Sequence, residues 1–331
     1  MKARGIVIGC SVTALVIIVV SLIAIVVTWR RMTARIPVQQ PVALVDAQTR
    51  GFAAMRLSPG DPLVGEILSR NPDLKDVDPN DFLPASILWL AHGEGTAAGH
   101  SLVMSVEPRG RMMGFIADVS LWKAGRGGGD HVSRVEHGGE GITSFPGTGI
   151  EGHVFVRGNT FVWSSGLDAA RRTVDLMNGA LAAGETIARY APDPAPRTLS
   201  GAIAQRDGAL AGALTFLPGE ALDVTAQDTE GIEALSFGID AQPGDAAAGE
   251  IHLHFRDDVP AERRAAVTAD LAARIARVAV GGMALQTAPR QEPERGVIDL
   301  TATGVSSTGA ELKAWLNEAF RWLQRLEAEG V

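Results

Sequence analysis

The sequence contains very little cysteine, tyrosine and lysine. Its single cysteine, Cys10, lies in an apolar segment, so the rest of the chain has no disulfide, thiolate nucleophile or CxxC metal site. None of the lysines follows a glycine, which excludes a Walker A phosphate loop and with it that kind of nucleotide site. One tyrosine, Tyr190, and 5% aromatic residues predict cores built from Leu, Ile, Val and Ala.

Positive charge is also scarce in most of the chain. The net charge is −8, and five basic residues flank the apolar segment, which leaves about −13 for residues 36–331. Those five are Lys2, Arg4, Arg30, Arg31 and Arg35. An acidic domain without a basic stripe repels phosphate backbones, so no nucleic-acid partner is expected. The acidity is explained by solubility alone.

The longest apolar run, residues 5–28, has 24 residues and no charge. A helix of this length spans about 36 Å at about 1.5 Å per residue, enough for a hydrocarbon core of about 30 Å. Trp29 and the arginines after it are typical of an interfacial boundary. The sequence therefore predicts one transmembrane helix, residues 5–29, that contacts the lipid bilayer.

Three other interpretations of this run are less suitable than an anchor, and one of them, a buried core helix, does not fit 24 residues without a charge. A cleavable signal peptide has a shorter apolar region, and a lipobox at Val7–Cys10 would need the apolar region before the cysteine. The basic residues on the two sides nearly balance, so they do not fix the orientation. The four-residue tail, residues 1–4, favours a single-pass protein of the bacterial inner (cytoplasmic) membrane with its large domain outside the cytoplasm.

Proline-rich segments divide the chain that follows the predicted transmembrane helix. A juxtamembrane linker covers residues 30–45, and three prolines at 192–196 separate a first half, residues 46–190, from a second half, residues 197–327. Within each half, runs of strands precede helices, and Gly158-Asn159 is typical of a two-residue hairpin turn. The predicted fold class is α+β: the transmembrane helix, then a soluble domain of antiparallel sheets with flanking helices.

The ends of the two halves look alike. VRGNTFVWSSGLDAARRTVDLM (156–177) and VIDLTATGVSSTGAELKAWL (297–316) each place paired serines between a strand and a predicted helix. The first helix is expected from Gly166 to Met177 with Ser165 as N-cap, and the second from Thr308. A duplicated α+β unit explains the likeness, and so does the common chemistry of strand–cap–helix junctions.

These junctions, with the single anchor and the short proline spacer, resemble uncharacterised families of bacterial exported membrane-anchored proteins. The resemblance extends over nearly the whole chain and implies no catalytic activity.

Several catalytic and binding motifs fail in their context. A GxGxxG match at residues 147–152 leads into a strand instead of a helix, so no helix N-terminus holds a pyrophosphate. SxxK at residues 120–123 lacks the accompanying SDN and KTG elements, and GxSxG is absent. An EF-hand-like start at residues 76–80 lacks the glycine and glutamate that calcium loops need. No nucleotide and no cofactor is therefore predicted.

Histidines supply the sharpest chemical candidates. His252 and His254 lie two residues apart on one face of a predicted strand, a spacing that can bring both imidazoles to one metal ion. A weaker set, His131, His137 and Glu140, lies beside a glycine run. Polar strand faces and solvated loops have the same composition, so both interpretations stay open.

Two functions follow from these observations. The first is a membrane-tethered, non-enzymatic binding or scaffold protein of the bacterial cell envelope, with an envelope protein as a candidate partner. The alternative is an envelope metal-dependent enzyme that uses His252 and His254.

Overall fold

The computed structural model describes most of the chain from Leu44 to Gly304. The described stretches are residues 44–56, 84–92, 99–106, 132–145, 152–158, 160–179, 197–205, 227–277 and 284–304, with a few isolated positions between them. The predicted transmembrane helix, most of the linker and the predicted last helix lie outside these residues. No helix within the described stretches is long and apolar enough to cross a membrane.

Twelve strands and two complete helices lie in the described residues. In chain order they are β1 Thr49–Arg56, β2 Pro84–His92, β3 Gly99–Val106, β4 Ser133–His137, β5 Glu140–Phe145, β6 Gly152–Arg157, β7 Thr160–Ser164, α1 Leu167–Met177, β8 Leu199–Ala204, β9 Ile232–Gln242, β10 Ala246–Phe255, α2 Ala261–Ile275, β11 Ala284–Gln291 and β12 Arg295–Thr303.

All twelve strands belong to one sheet, and every neighbouring pair is antiparallel. The order is β11-β12-β10-β9-β8-β1-β2-β3-β7-β6-β5-β4. Outward from the central β1–β8 pair, the order β1-β2-β3-β7-β6 on one side corresponds to β8-β9-β10-β12-β11 on the other. The two halves therefore join edge to edge.

The predicted α+β fold class is wrong. The sequence suggested antiparallel sheets with flanking helices and a repeated α+β unit, whereas the described residues form one 12-stranded sheet with two helices. The physical reason lies at β1 and β8. Each strand offers a full set of backbone donors and acceptors, and pairing Gly51–Met55 with Leu199–Ile203 satisfies both edges at once.

Local predictions around α1 had mixed outcomes. The hairpin at Gly158 is confirmed, because β6 and β7 pair up to Arg157 and Thr160. α1 ends as predicted, with Asn178 as C-cap and Gly179 at a φ of 69°. The predicted cap is wrong: the N-cap is Gly166, and Ser165 Oγ instead accepts a hydrogen bond of 2.9 Å from the His100 N–H on β3.

A hairpin replaces the solvated loop that was one of the two interpretations around His137. β4 and β5 are joined by Gly138 and Gly139, whose φ values of 56° and 87° suit a tight turn of the type that needs two left-handed residues. Two consecutive glycines at this point of the sequence could have predicted the turn.

The two helices cover opposite faces of the sheet. Cross-strand partners share a face, and the pairings connect Phe52 to Ala202, then Ser236, then His252. α1 packs with Phe52, Leu90 and Val162 in one core on this face. α2 packs with Leu235, Leu253 and Ile298 on the other face. The face that is core in the first half therefore carries His252 and His254 in the second.

Candidate functional site

The two histidines of β10 lie where their alternation predicts, on one face with Glu250. His252 Nε2 lies 3.0 Å from Glu250 Oε2, and His254 Nε2 lies 2.9 Å from Ser236 Oγ on β9. The rings are stacked, with centroids 6.4 Å apart and an interplanar angle of 18°. Each imidazole thus has its own hydrogen-bond partner.

Both imidazoles are neutral at pH 7. Burial, together with the neighbouring His252, Arg295 and Arg189, lowers the pKa of His254 to about 4. Burial also lowers the pKa of His252, and Arg295 acts in the same direction against the opposing effect of Glu250. Neutral imidazoles are suitable metal ligands, so whether His252 and His254 form a metal site depends on a third ligand nearby.

That third ligand is not found in the part of the chain that the structure describes. No group of three His, Cys, Asp or Glu side chains there is arranged to hold a metal ion. His137 Nε2 lies 2.9 Å from Asp175 Oδ1 on α1, and Glu140 accepts a hydrogen bond of 2.8 Å from Arg157 Nε. His131 lies outside the described residues. The weaker candidates are therefore not brought together with the β10 pair.

A charge network continues from the β10 histidines to the edge of the sheet. Arg290 on β11 donates to Glu250 at 2.8 Å and to Asp299 at 3.2 Å, and it also contacts Glu292. These carboxylates raise the pKa of Arg290, so the guanidinium stays charged. The network connects β10, β11 and β12, and because it is exposed to solvent each pair contributes little to stability.

A pocket of about 460 Å³ opens at the centre of the sheet, beside the junction of the two halves. Its described lining comes from the start of β1, the end of β8 and the residue after it, residues 229–233, the residue after β10, and Ile187, Arg189 and Tyr190. Ile187 and Ile232 contribute fully or almost fully buried side chains to this lining. We call this cavity the central pocket.

Polar groups of the central pocket are organised around Glu233. Tyr190 Oη donates a hydrogen bond of 2.7 Å to Glu233 Oε2, and Arg189 contacts both groups. Burial raises the pKa of Tyr190 and the hydrogen bond to Glu233 raises it further, so the phenol remains protonated and donates. The Tyr190 ring also lies 4.6 Å from the His254 ring, which connects the pocket to the β10 histidines.

A second polar pair lines the same pocket. Gln205 Nε2 donates to Thr229 Oγ1 at 2.9 Å, and Gln205 Oε1 accepts from the Leu210 N–H at 3.0 Å. Glu230 and Arg256 add one negative and one positive charge. With Arg189 and Glu233, the described lining is balanced in charge.

Beneath α1 lies a buried polar cluster that the sequence did not indicate. Asp46 is 2% exposed; it accepts from Thr49 Oγ1 at 2.8 Å and forms an ion pair with Arg172 of α1. Thr49 also lines the central pocket, so the cluster begins at the pocket wall.

The same cluster continues as a chain of hydroxyl groups. Thr173 Oγ1 lies 2.9 Å from Ser101 Oγ, which lies 2.8 Å from Ser164 Oγ. His92 is 2% exposed, and its Nε2 is 3.5 Å from Thr173 Oγ1. Although serine, histidine and aspartate are all present, the hydroxyls are fully buried and face the helix. Their arrangement fixes α1 to the sheet.

Sequence reasoning found the β10 histidines and missed the pocket and the buried cluster. The pocket combines residues from Thr49 to Arg256, and the Asp46–Arg172 pair joins positions 126 residues apart. Spacing along the chain carries no signal for such contacts. The single tyrosine, Tyr190, was the one local clue, because a rare residue type stood directly before the proline break.

Comparison with known proteins places the chain in no family. No family model matches it, and no curated protein matches it. Among solved structures, crystal form III of TP0453 has a TM-score of 0.47 and 9% sequence identity, with 83% of this chain and 98% of that chain covered. Crystal form IV of TP0453 has a TM-score of 0.46 and 9% identity, with 86% and 99% covered. Neither similarity bears on function.

Proposed function

We propose that this is a non-enzymatic binding protein of the bacterial cell envelope, attached to the inner membrane, with its ligand site in the central pocket. The observation that carries the proposal is the pocket itself. Its polar groups pair with one another as donors and acceptors, and Ile187, Ala204 and Ile232 add apolar side chains to the lining. Such a mixture of apolar lining and a few convergent polar groups is typical of ligand sites.

The state of the pocket groups supports binding over catalysis. The raised pKa of Tyr190 keeps the phenol protonated, so it donates a hydrogen bond instead of removing a proton. Thr229 is fully buried and bonded to Gln205. Thr229 thus holds Gln205 in place, and the partly exposed side chains of Gln205 and Tyr190 present donors and acceptors to a ligand.

Membrane attachment is proposed from residues 5–28 of the sequence. A test replaces Ile17 and Val20 with arginine in the full chain, since each charge in the middle of an apolar segment costs about 2.5–3.5 kcal/mol of insertion free energy. We expect wild type to resist alkaline extraction of membranes and the double variant to be released. Equal release of both would contradict attachment by this segment.

Ligand binding is tested by native mass spectrometry of the full-length protein purified from its own membrane. We expect a bound small molecule that disappears when Arg189 and Glu233 are both changed to alanine. The matched control changes Arg171 and Asp168, another exposed ion pair, on α1 and outside the pocket lining. Absence of any bound mass in wild type, or its loss in the control as well, would overturn the proposal.

A further inference from the structure

We infer that the central pocket takes an uncharged, polyhydroxylated ligand of the saccharide class. This inference rests on the proposed function and specifies its ligand. The first support is electrostatic. Arg189 and Arg256 balance Glu230 and Glu233 in the described lining, so a ligand of either net charge gains nothing from it.

Each of these charges already has an opposite partner. Arg189 lies 3.3 Å from Glu233, Arg256 lies 3.2 Å from Asp258, and Glu230 lies 2.8 Å from Arg263. A charged or zwitterionic ligand would have to separate such pairs or lie beside a like charge. An uncharged ligand leaves every pair intact.

Hydroxyl groups fit beside intact pairs because each one both donates and accepts. A diol can donate to a carboxylate oxygen of Glu233 while accepting from the guanidinium of Arg189 next to it. Counting only bonds to described residues, the side chain of Gln205 keeps one amide hydrogen and one carbonyl lone pair beyond its bonds to Thr229 and Leu210. The pocket thus offers donors and acceptors in adjacent pairs, which is what vicinal hydroxyls require.

The apolar part of the pocket matches the other side of a sugar. Ala204 is a partly exposed apolar residue of the lining, and its methyl group offers a small aliphatic surface to the C–H face of a pyranose ring. The Tyr190 ring already contacts two other groups, since the Arg189 guanidinium lies 4.5 Å from its centroid and the centroid of the His254 ring lies at 4.6 Å. Recognition therefore uses hydrogen bonds and aliphatic contact instead of aromatic stacking.

The test measures binding to the full-length protein in a micelle of a detergent without a sugar headgroup. Three probes are compared by saturation-transfer NMR and calorimetry: the disaccharide of N-acetylglucosamine, the zwitterion alanyl-alanine, and inorganic phosphate. We expect binding of the disaccharide only. Glu233→Gln should weaken this binding about tenfold, the loss expected for one charge-assisted hydrogen bond.

Glu136→Gln is the matched control, because Glu136 is an exposed, ion-paired glutamate on β4 and is not among the pocket-lining residues. It should leave binding unchanged. Binding of alanyl-alanine or phosphate in place of the disaccharide, sensitive to Glu233→Gln, would overturn the saccharide inference and leave the binding function standing. The saccharide inference would also be overturned if Glu233→Gln left disaccharide binding unchanged, or if no probe bound at millimolar concentrations. Failure of the proposed binding function is recognised by a different measurement, the absence of a co-purified ligand in native mass spectrometry.

Discussion

His92 illustrates how a single residue couples this fold to pH. It lies at the end of β2 beneath α1, and burial lowers its pKa to about 4; Arg172 and His100 also lower it, while Asp46 raises it. The folded protein therefore binds this proton less tightly than the unfolded chain, whose histidine has a pKa near 6.5. The stabilisation is fully present above pH 6.5 and is lost as the pH falls towards 4 and below.

We expect the free energy of unfolding to fall by about 3 kcal/mol between pH 6.5 and 4 through this group, in proportion to the pKa difference. His92→Gln should remove that part of the pH dependence, and urea midpoints measured across the range provide the readout. Thr268→Val, which changes a buried side chain of α2 that does not titrate, should keep the slope. If the urea midpoint of His92→Gln depended on pH as strongly as that of wild type, His92 would not be the source of this pH dependence.

Single residues also mark the limits of sequence reading. Alternation in β10 correctly placed His252 and His254 on one face, because side chains on a strand repeat every two residues. What each imidazole contacts depends on strand register, and Ser236 is 18 residues away from its partner His254. No local pattern reports such a pair.

The docking of α1 on the sheet depends on the hydroxyl of Thr173. This group touches Ser101 on β3, and it is also bonded to the Ala169 carbonyl of its own helix. Thr173→Val should leave Ser101 and the Nε2 of His92 with one polar contact fewer inside the core. We expect a loss of about 1–3 kcal/mol in the free energy of unfolding, measured by chemical denaturation.

Thr268 on α2 is a matched control. It is equally buried, and its hydroxyl bonds to the Arg264 carbonyl of its own helix at 2.7 Å. Thr268→Val removes only that intrahelical bond and should cost less than Thr173→Val. Equal losses for the two variants would show that the contact with Ser101 has no special role.

At the scale of elements, β11 shows that the position of a strand in the sheet decides whether its sequence is tolerated. β11 contains Pro289, which argues against a strand unless it lies at an edge. In the described sheet β11 is an edge strand that pairs only with β12. Glu292 N donates to Arg295 O, so by alternation the nitrogen of Pro289 points away from β12. The absence of an N–H group at Pro289 therefore removes no hydrogen bond between β11 and β12.

For the molecule as a whole, the joining of the halves at β1 and β8 is the feature that sequence reading did not provide. Both strands were compatible with separate sheets, because each half supplies its own core and its own helix. Edge-to-edge pairing between segments about 150 residues apart leaves no periodic signal. The α+β prediction failed at this point.

The packing between β1 and β8 makes a quantitative prediction. A Cβ at Gly201 of β8 would lie 2.3 Å from the Phe52 carbonyl oxygen, whereas a Cβ at Gly51 of β1 would have no neighbour closer than 3.5 Å. Gly201→Ala should therefore cost about 1–3 kcal/mol through overpacking. Gly51→Ala should be nearly neutral. Denaturant unfolding with one transition in each variant is expected, and equal stability of the two would contradict this packing.

The most direct measurement of the central claim is hydrogen exchange of the full-length protein in its native membrane. We expect residues 227–233 beside the central pocket to exchange more slowly there than in protein purified free of small molecules, because a bound ligand covers them. Changing both Arg189 and Glu233 to alanine should abolish the difference. Identical exchange in the two preparations would contradict a ligand in the central pocket.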